Sequence, residues 1–163
     1  HRLQLAMRNA EVNQQELGLV FFDLDGFKPV NDQYGHHAGD EVLIEVAKRL
    51  KNSLRLGDIM CRIGGDEFVV LLGELDTDAE TSKAQASHIA EKIRLSLAGP
   101  YALRVHKAGH EDSTVEHHCT VSIGLVLMAP GCKDAEDLLR QADIAMYQAK
   151  ERGRNCVAFG PSS

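Results

Sequence analysis

The sequence predicts an α+β fold: a central mixed, largely antiparallel sheet with a βαββαβ-type core flanked by helices. Three observations lead there. Apolar runs of strand length alternate with longer stretches whose apolar residues recur every three to four positions. Gly64-Gly65 joins two of those runs directly, so a hairpin interrupts the alternation of strands and helices. The 163 residues, 44% of them hydrophobic, suffice for one continuous core and about one ordinary domain.

The chain opens in a helical pattern, with Leu3, Met7 and Ala10 at three-to-four spacing from the first residue onward. Residues 17–23 form the first strand, an apolar run too short for a helix and followed by turn residues. A short helical turn over 27–34 comes next. The helix over 39–50 gathers Val42, Leu43, Val46, Ala47 and Leu50 on one face, and Glu41, Glu45 and Lys48 on the other. Residues 59–63 and 68–72 are the hairpin strands, with the glycine pair supplying the positive φ angles of a tight turn. A helix over 78–97 carries Ile89, Ile93 and Leu97 in register. A second strand pair, 101–106 and 116–127, precedes a helix over 134–151 and a last short strand over 156–159. Residues 160–163, Gly-Pro-Ser-Ser, read as the start of a linker. The whole chain, 1–163, is thus expected to be a single domain whose N-terminal helix is truncated.

Composition narrows the function. With 18 basic and 24 acidic residues the net charge is −6, which argues against a long groove for duplex nucleic acid, where phosphate neutralisation dominates affinity. A single nucleotide needs only a few local cations. Cys61, Cys119, Cys132 and Cys156 lie far apart with no CxxC pair, so neither a zinc knuckle nor a disulfide framework is expected, and a reducing, cytoplasmic setting fits best. The longest apolar runs, 19–22 and 123–129, are too short to cross a bilayer, and no signal peptide opens the chain. The segment itself is expected to make no membrane contact, even if it is the cytoplasmic part of an anchored protein.

The chemistry gathers at two places. Asp23-Leu24-Asp25 ends the first strand, where alternation sends both carboxylates to one side and Leu24 to the other. Asp66-Glu67 follows the glycine turn, so two more carboxylates sit on a tight hairpin. If the hairpin lies beside the first strand, Asp23 and Asp66 meet, and such a cluster repels itself unless a divalent cation bridges it. The blander reading, a good turn with solvated acids, suits either element alone but not the pair.

Gly64-Gly65-Asp66-Glu67-Phe68 is the signature of the GGDEF family of diguanylate cyclases, and the chain resembles that family in further blocks. They are Asp23-Leu24-Asp25-Gly26-Phe27-Lys28, Asn31-Asp32, Tyr34-Gly35-His36, Gly39-Asp40, Ser122-Ile123-Gly124, Ala142-Asp143, Tyr147-Gln148-Ala149-Lys150 and Gly153-Arg154-Asn155. The resemblance runs from about residue 17 to 159. It implies a nucleotidyl-cyclase-like fold with a ferredoxin-like core. It also implies condensation of two GTP into cyclic di-GMP, each domain of a homodimer presenting one GTP to the other. Asp23, the backbone carbonyl of Leu24 and Asp66 match the family's ligands for two Mg²⁺ or Mn²⁺ ions. Asp66, with Glu67, matches the acceptor of the 3′-hydroxyl proton. Asn31 and Asp40 match the guanine readers: one carboxylate can accept both N1–H and N2–H₂, donors that adenine does not present together. Lys28, Lys150 and Arg154 match phosphate contacts, and His36 and Gly65 match positions that border the family's nucleotide pocket.

Arg55-Leu56-Gly57-Asp58 is an RxxD at the family's offset for an inhibitory site that binds the product. Outside that frame, Asp40 would be a helix cap, Asn31 a turn residue and Arg55 a helix-end arginine. His106, His110, His117, His118 and Cys119 could be drawn as a zinc site, but adjacent His117 and His118 point to opposite faces of a strand, and polar decoration of a hairpin is expected instead. The family's Asp-x-Leu-Thr and Asn-Arg stretch would precede His1. Members usually carry a fused sensor or an EAL phosphodiesterase domain. A GTP-binding regulatory module attached to such a phosphodiesterase, or a pure product receptor, are the alternatives, and GTP turnover separates them from an enzyme.

Overall fold

The computed structural model describes residues 1–128 and 131–161. In chain order the elements are α1 (Arg2–Val12), β1 (Glu16–Asp25), α2 (Phe27–Tyr34), α3 (His36–Ser53), β2 (Ile59–Gly64), β3 (Glu67–Leu75), α4 (Ala79–Leu97), β4 (Tyr101–Val105), β5 (Ser113–His117), β6 (Thr120–Leu127), α5 (Ala135–Glu151) and β7 (Val157–Phe159). The main sheet has five strands in the order β2-β3-β1-β6-β7, all neighbours antiparallel except β6 and β7. β1, α3, β2, β3, α4 and β6 make the βαββαβ core. Of the expected linker, Ser162 and Ser163 lie outside the described residues, as does Ala129 at the end of the apolar run 123–129.

The continuous apolar stretch of β1 is explained by burial on both faces. Val20, Phe22 and Leu24 pack with Phe68, Val70, Val121 and Ile123 against the side covered by α3 and α4. Leu17, Leu19 and Phe21 join Val69, Leu71 and Val126 against α1 and α5, which contribute Met7, Ala10, Leu138, Ala142 and Met146. Phe22 and Phe68 stack with centroids 5.3 Å apart, linking β1 to the hairpin. A Cβ on Gly124 would fall 2.1 Å from the Ala142 carbonyl oxygen, so only glycine lets α5 ride this close to β6. That approach places the C-terminal end of α5 over the end of β1.

Three details differ from the sequence expectation. The strand read over 116–127 is two strands: β5 pairs with β4 in a separate two-stranded sheet, while β6 pairs with β1. The partner changes at His118-Cys119 although the inward-facing series Val115, Cys119, Val121 and Ile123 continues without a break. α3 begins at His36, three residues before the expected start. The hairpin turn is shifted by one residue, since Gly64 pairs with Glu67 and the two turn residues are Gly65 and Asp66. Gly65 has φ +49°, whereas Gly64 is not in the positive-φ region.

Candidate active site

Strand pairing brings the two acidic segments together. Asp23 sits opposite Glu67 in the β1/β3 ladder, and Asp66 is the neighbouring turn residue. Asp23 is only 8% exposed, and Lys150 Nζ, at the end of α5, donates to its Oδ2 at 2.5 Å. Its Oδ1 is buried without a hydrogen-bond partner. Burial pushes the Asp23 carboxyl above its ordinary value, Lys150 pulls it back, and Asp66 and Asp25 push it further up. Because the Leu17 carbonyl accepts from Met128 on the β6 side, ladder alternation turns the main chain of Leu24 toward β3, just past the last pair at Asp23 and Glu67.

This donor set fits a hard divalent cation. An anionic oxygen is buried and unpaired, a second carboxylate adjoins it, and a carbonyl faces the same edge. Among the described residues no three His, Cys, Asp or Glu side chains are grouped to hold an ion alone. Mg²⁺ characteristically takes one or two carboxylates and completes its shell with phosphate oxygens and water.

Asp25, though it points to the same side as Asp23, is differently engaged. Ser122 Oγ donates to its Oδ1 at 2.8 Å, and Thr120 Oγ1 and the Asn155 N–H donate to its Oδ2 at 2.7 and 3.3 Å. These partners were not singled out as functional residues. A usable signal was present, because Thr120 and Ser122 are polar at period two in an otherwise apolar strand. Arg62, whose Nε donates to the Gly65 carbonyl at 2.8 Å, braces the turn and was likewise missed.

The loop after β1 leads into α2 through Gly26, and exposed Lys28 lies in its first turn. Asn31, on α2, packs its amide against Gly39 of α3 so closely that a Cβ there would fall 1.9 Å from Asn31 Oδ1. Asp40 is exposed on α3, one turn inside a helix that Gly35 precedes, so it is not the helix cap. His36 is the first residue of α3 and is exposed. Arg154 is exposed beyond the end of α5, in the turn whose next residue bonds Asp25.

A family model described as "Diguanylate cyclase, GGDEF domain" matches residues 1–156. The chain belongs to the GGDEF family. It is 39% identical over 162 residues, 99% of its length, to the bifunctional diguanylate cyclase/cyclic di-GMP phosphodiesterase MucR of Pseudomonas aeruginosa, of which it covers 22%. It is 38% identical to the response regulator PleD of Caulobacter vibrioides, covering 96% of this chain and 32% of that protein. The chain therefore spans a third or less of these curated relatives. Among solved structures, the GGDEF domain of TpbB from Pseudomonas aeruginosa superimposes with a TM-score of 0.83 at 38% identity, covering 98% of this chain and 86% of that one. The active GGEEF domain of a Vibrio cholerae diguanylate cyclase gives 0.79 at 32% identity, covering 99% and 94%. The GGDEF domain of DgcB from Caulobacter crescentus, solved with c-di-GMP, gives 0.80 at 28%, covering 97% and 85%.

In this GGDEF domain the RxxD residues stand apart from the carboxylates. Arg55 lies beyond the end of α3, in the loop before β2, rather than in a last helical turn. Its Nη2 donates to Asp58 Oδ1 at 3.2 Å and to the Gly73 carbonyl at 2.8 Å, and its backbone N–H donates to Asp58 Oδ2 at 2.9 Å. β2 is six residues long, so at about 3.3 Å per residue it puts roughly 20 Å between this pair and the Gly65 turn. The histidines of the β4–β5 hairpin are dispersed: His106 pairs with Asp112 at 2.6 Å and His118 with Glu116 at 3.4 Å. No helix among the described residues is long and apolar enough to cross a membrane.

Proposed function

We propose that this GGDEF domain condenses two GTP molecules into cyclic di-GMP and two pyrophosphates when two copies face each other. The observation that carries the reading is the buried Asp23 carboxylate, with one oxygen on Lys150 and the other unpaired, set beside Asp66 at the hairpin turn. The 3′-hydroxyl oxygen of one GTP attacks the α-phosphorus of the other. The bond to the bridging oxygen breaks, pyrophosphate leaves, and the hydroxyl proton passes to a carboxylate of the Asp66-Glu67 pair; the same attack by the second GTP's 3′-hydroxyl on the first one's α-phosphorus, in the facing copy, closes the ring and releases the second pyrophosphate. Asp23, Asp66 and the Leu24 carbonyl would hold Mg²⁺ or Mn²⁺, two per site, and the ions would supply Lewis-acid stabilisation of the triphosphate charge and acidify the attacking hydroxyl.

Lys150, Arg154 and Lys28 hold phosphates, while Asn31 and Asp40 read the guanine edge from α2 and α3, with His36 and Gly65 bordering the pocket. Asp40 carries no cap to make, which leaves both its oxygens for the base. Cyclic di-GMP feeds back at Arg55 and Asp58, and the full protein couples this domain to a sensor or EAL unit in the cytoplasm. The test is incubation with GTP or ATP in Mg²⁺, with products separated by chromatography. Cyclic di-GMP from GTP, no cyclic product from ATP and none in chelator is the expected outcome. GTP left unconverted at high protein concentration would overturn the reading.

A further inference from the structure

The turn that follows α5 has an unusual backbone. Gly153, Arg154 and Asn155 all have positive φ, +108°, +64° and +48° in succession. Glycine adopts that region freely and asparagine tolerates it, but arginine does so only when its surroundings force it. Main-chain bonds explain the first part: the Gly153 N–H donates to Lys150 O at 3.2 Å and the Arg154 N–H to Ala149 O at 3.1 Å, closing the helix. Asn155 is held by groups from elsewhere in the fold. Its N–H donates to Asp25 Oδ2, and its Oδ1 accepts from Arg94 Nη1 at 3.0 Å, a contact across 61 residues of chain. Arg94 is itself oriented by Glu91 of the same helix, whose Oε2 accepts from its Nε at 3.0 Å and its Nη2 at 2.7 Å.

We propose that Arg94 and Asn155 form a positioning clamp that, with Asp25 as its anchor, presents the Arg154 guanidinium to the nucleotide phosphates. The inference rests on the reading of Arg154 as a phosphate contact. Asp25 has its oxygens filled by Thr120, Ser122 and Asn155, which makes it the fixed point of the turn and not a further cation ligand. Arg94 reaches the turn from α4, on the other side of the sheet edge from α5. One bond therefore ties two helix layers at the place where a flexible loop would otherwise carry a functional arginine. Pre-ordering that arginine lowers the entropic cost of binding phosphate without adding a contact to it.

Asn155→Gly separates the clamp from mere backbone geometry, because glycine keeps the left-handed turn and deletes the side-chain acceptor. Asn155→Gly and Arg94→Ala are each expected to raise the KM for GTP about tenfold while kcat stays within about twofold. The double variant should be no worse than either single one, since both remove the same bond. Asn155→Asp, which keeps the acceptor, should restore the parent KM. Amide hydrogen exchange at residues 154–156 should quicken in both single variants and not in Asn155→Asp. Parent-like KM in Asn155→Gly, or additive effects in the double variant, would overturn the clamp, as would faster exchange with unchanged KM, which makes the contact structural only. If the parent itself neither binds nor converts GTP, the cyclase reading falls, and unchanged exchange in Arg94→Ala would still sink the clamp.

Discussion

Asp23 is the residue on which folding and function pull in opposite directions. Burial raises its carboxyl pKa above 3.8, so the folded protein holds that proton more tightly than the unfolded chain does. The protonated form favours the fold, and this contribution is lost as pH rises from the unfolded value through the higher folded one. In chelator, Asp23→Asn should therefore gain stability relative to the parent as pH goes from about 4 to about 7, read by urea unfolding. A parent that gains on the variant over that range would contradict the assignment. Asp40 makes the complementary case, an exposed acid with no structural duty on α3. Asp40→Ala should weaken GTP binding about ten- to hundredfold and let ATP compete better, at little cost to stability. Unchanged competition by ATP in a titration would remove Asp40 from base recognition. At this scale the acids and cations were legible because motif spacing marks them. The groups that orient them were marked less well: Thr120 and Ser122 only as polar residues in an apolar strand, Asn155 only as a member of a motif block and Arg94 not at all, because their partners lie far away in sequence and only the sheet order brings them together.

The elements place those residues by burying both faces of β1 and letting its end, still paired with β6, run past its ladder with β3. Periodicity predicted that strand, its hairpin neighbours and the helices well, since each depends on a local pattern of apolar residues. It missed the break between β5 and β6 because alternation reports which face a side chain takes, and the inward series is uninterrupted through Cys119. Which strand the backbone pairs with is decided by distant chain, here β4 before the break and β1 after it. The early start of α3 was missed for a similar reason: its first turn is polar and exposed, so the apolar stripe begins only further along. β2 links the two candidate sites, with the Arg55-Asp58 pair at one end and the acidic hairpin turn at the other. A ligand bound at the far end would not touch the hairpin turn, so it could inhibit only by favouring a non-productive arrangement. Arg55→Ala should abolish inhibition by added cyclic di-GMP while initial rates stay within about twofold of the parent. Equal inhibition of both proteins in progress curves would make Arg55 a loop arginine that merely ties Asp58 to Gly73.

In the proposed reaction the molecule supplies one half of a site that needs two GTP-loaded copies. A net charge of −6 on each copy opposes unassisted encounter, so on this reading pairing limits the rate. Specific activity should accordingly fall on dilution, in step with loss of dimer in sedimentation, and rise on fusion to a dimerising segment. Activity that stays constant well below the dimer range would mean that one copy is enough. On the proposed reading the acidic hairpin turn beside Asp23 performs nucleotidyl transfer. The most direct measurement of that is product formation from GTP and Mg²⁺ by Asp66→Asn, with circular dichroism and thermal unfolding run alongside the parent. The variant should keep a fold within about 1 kcal/mol of the parent and lose at least about a thousandfold in rate. Cyclic di-GMP formed at the parent rate by that folded variant would contradict it.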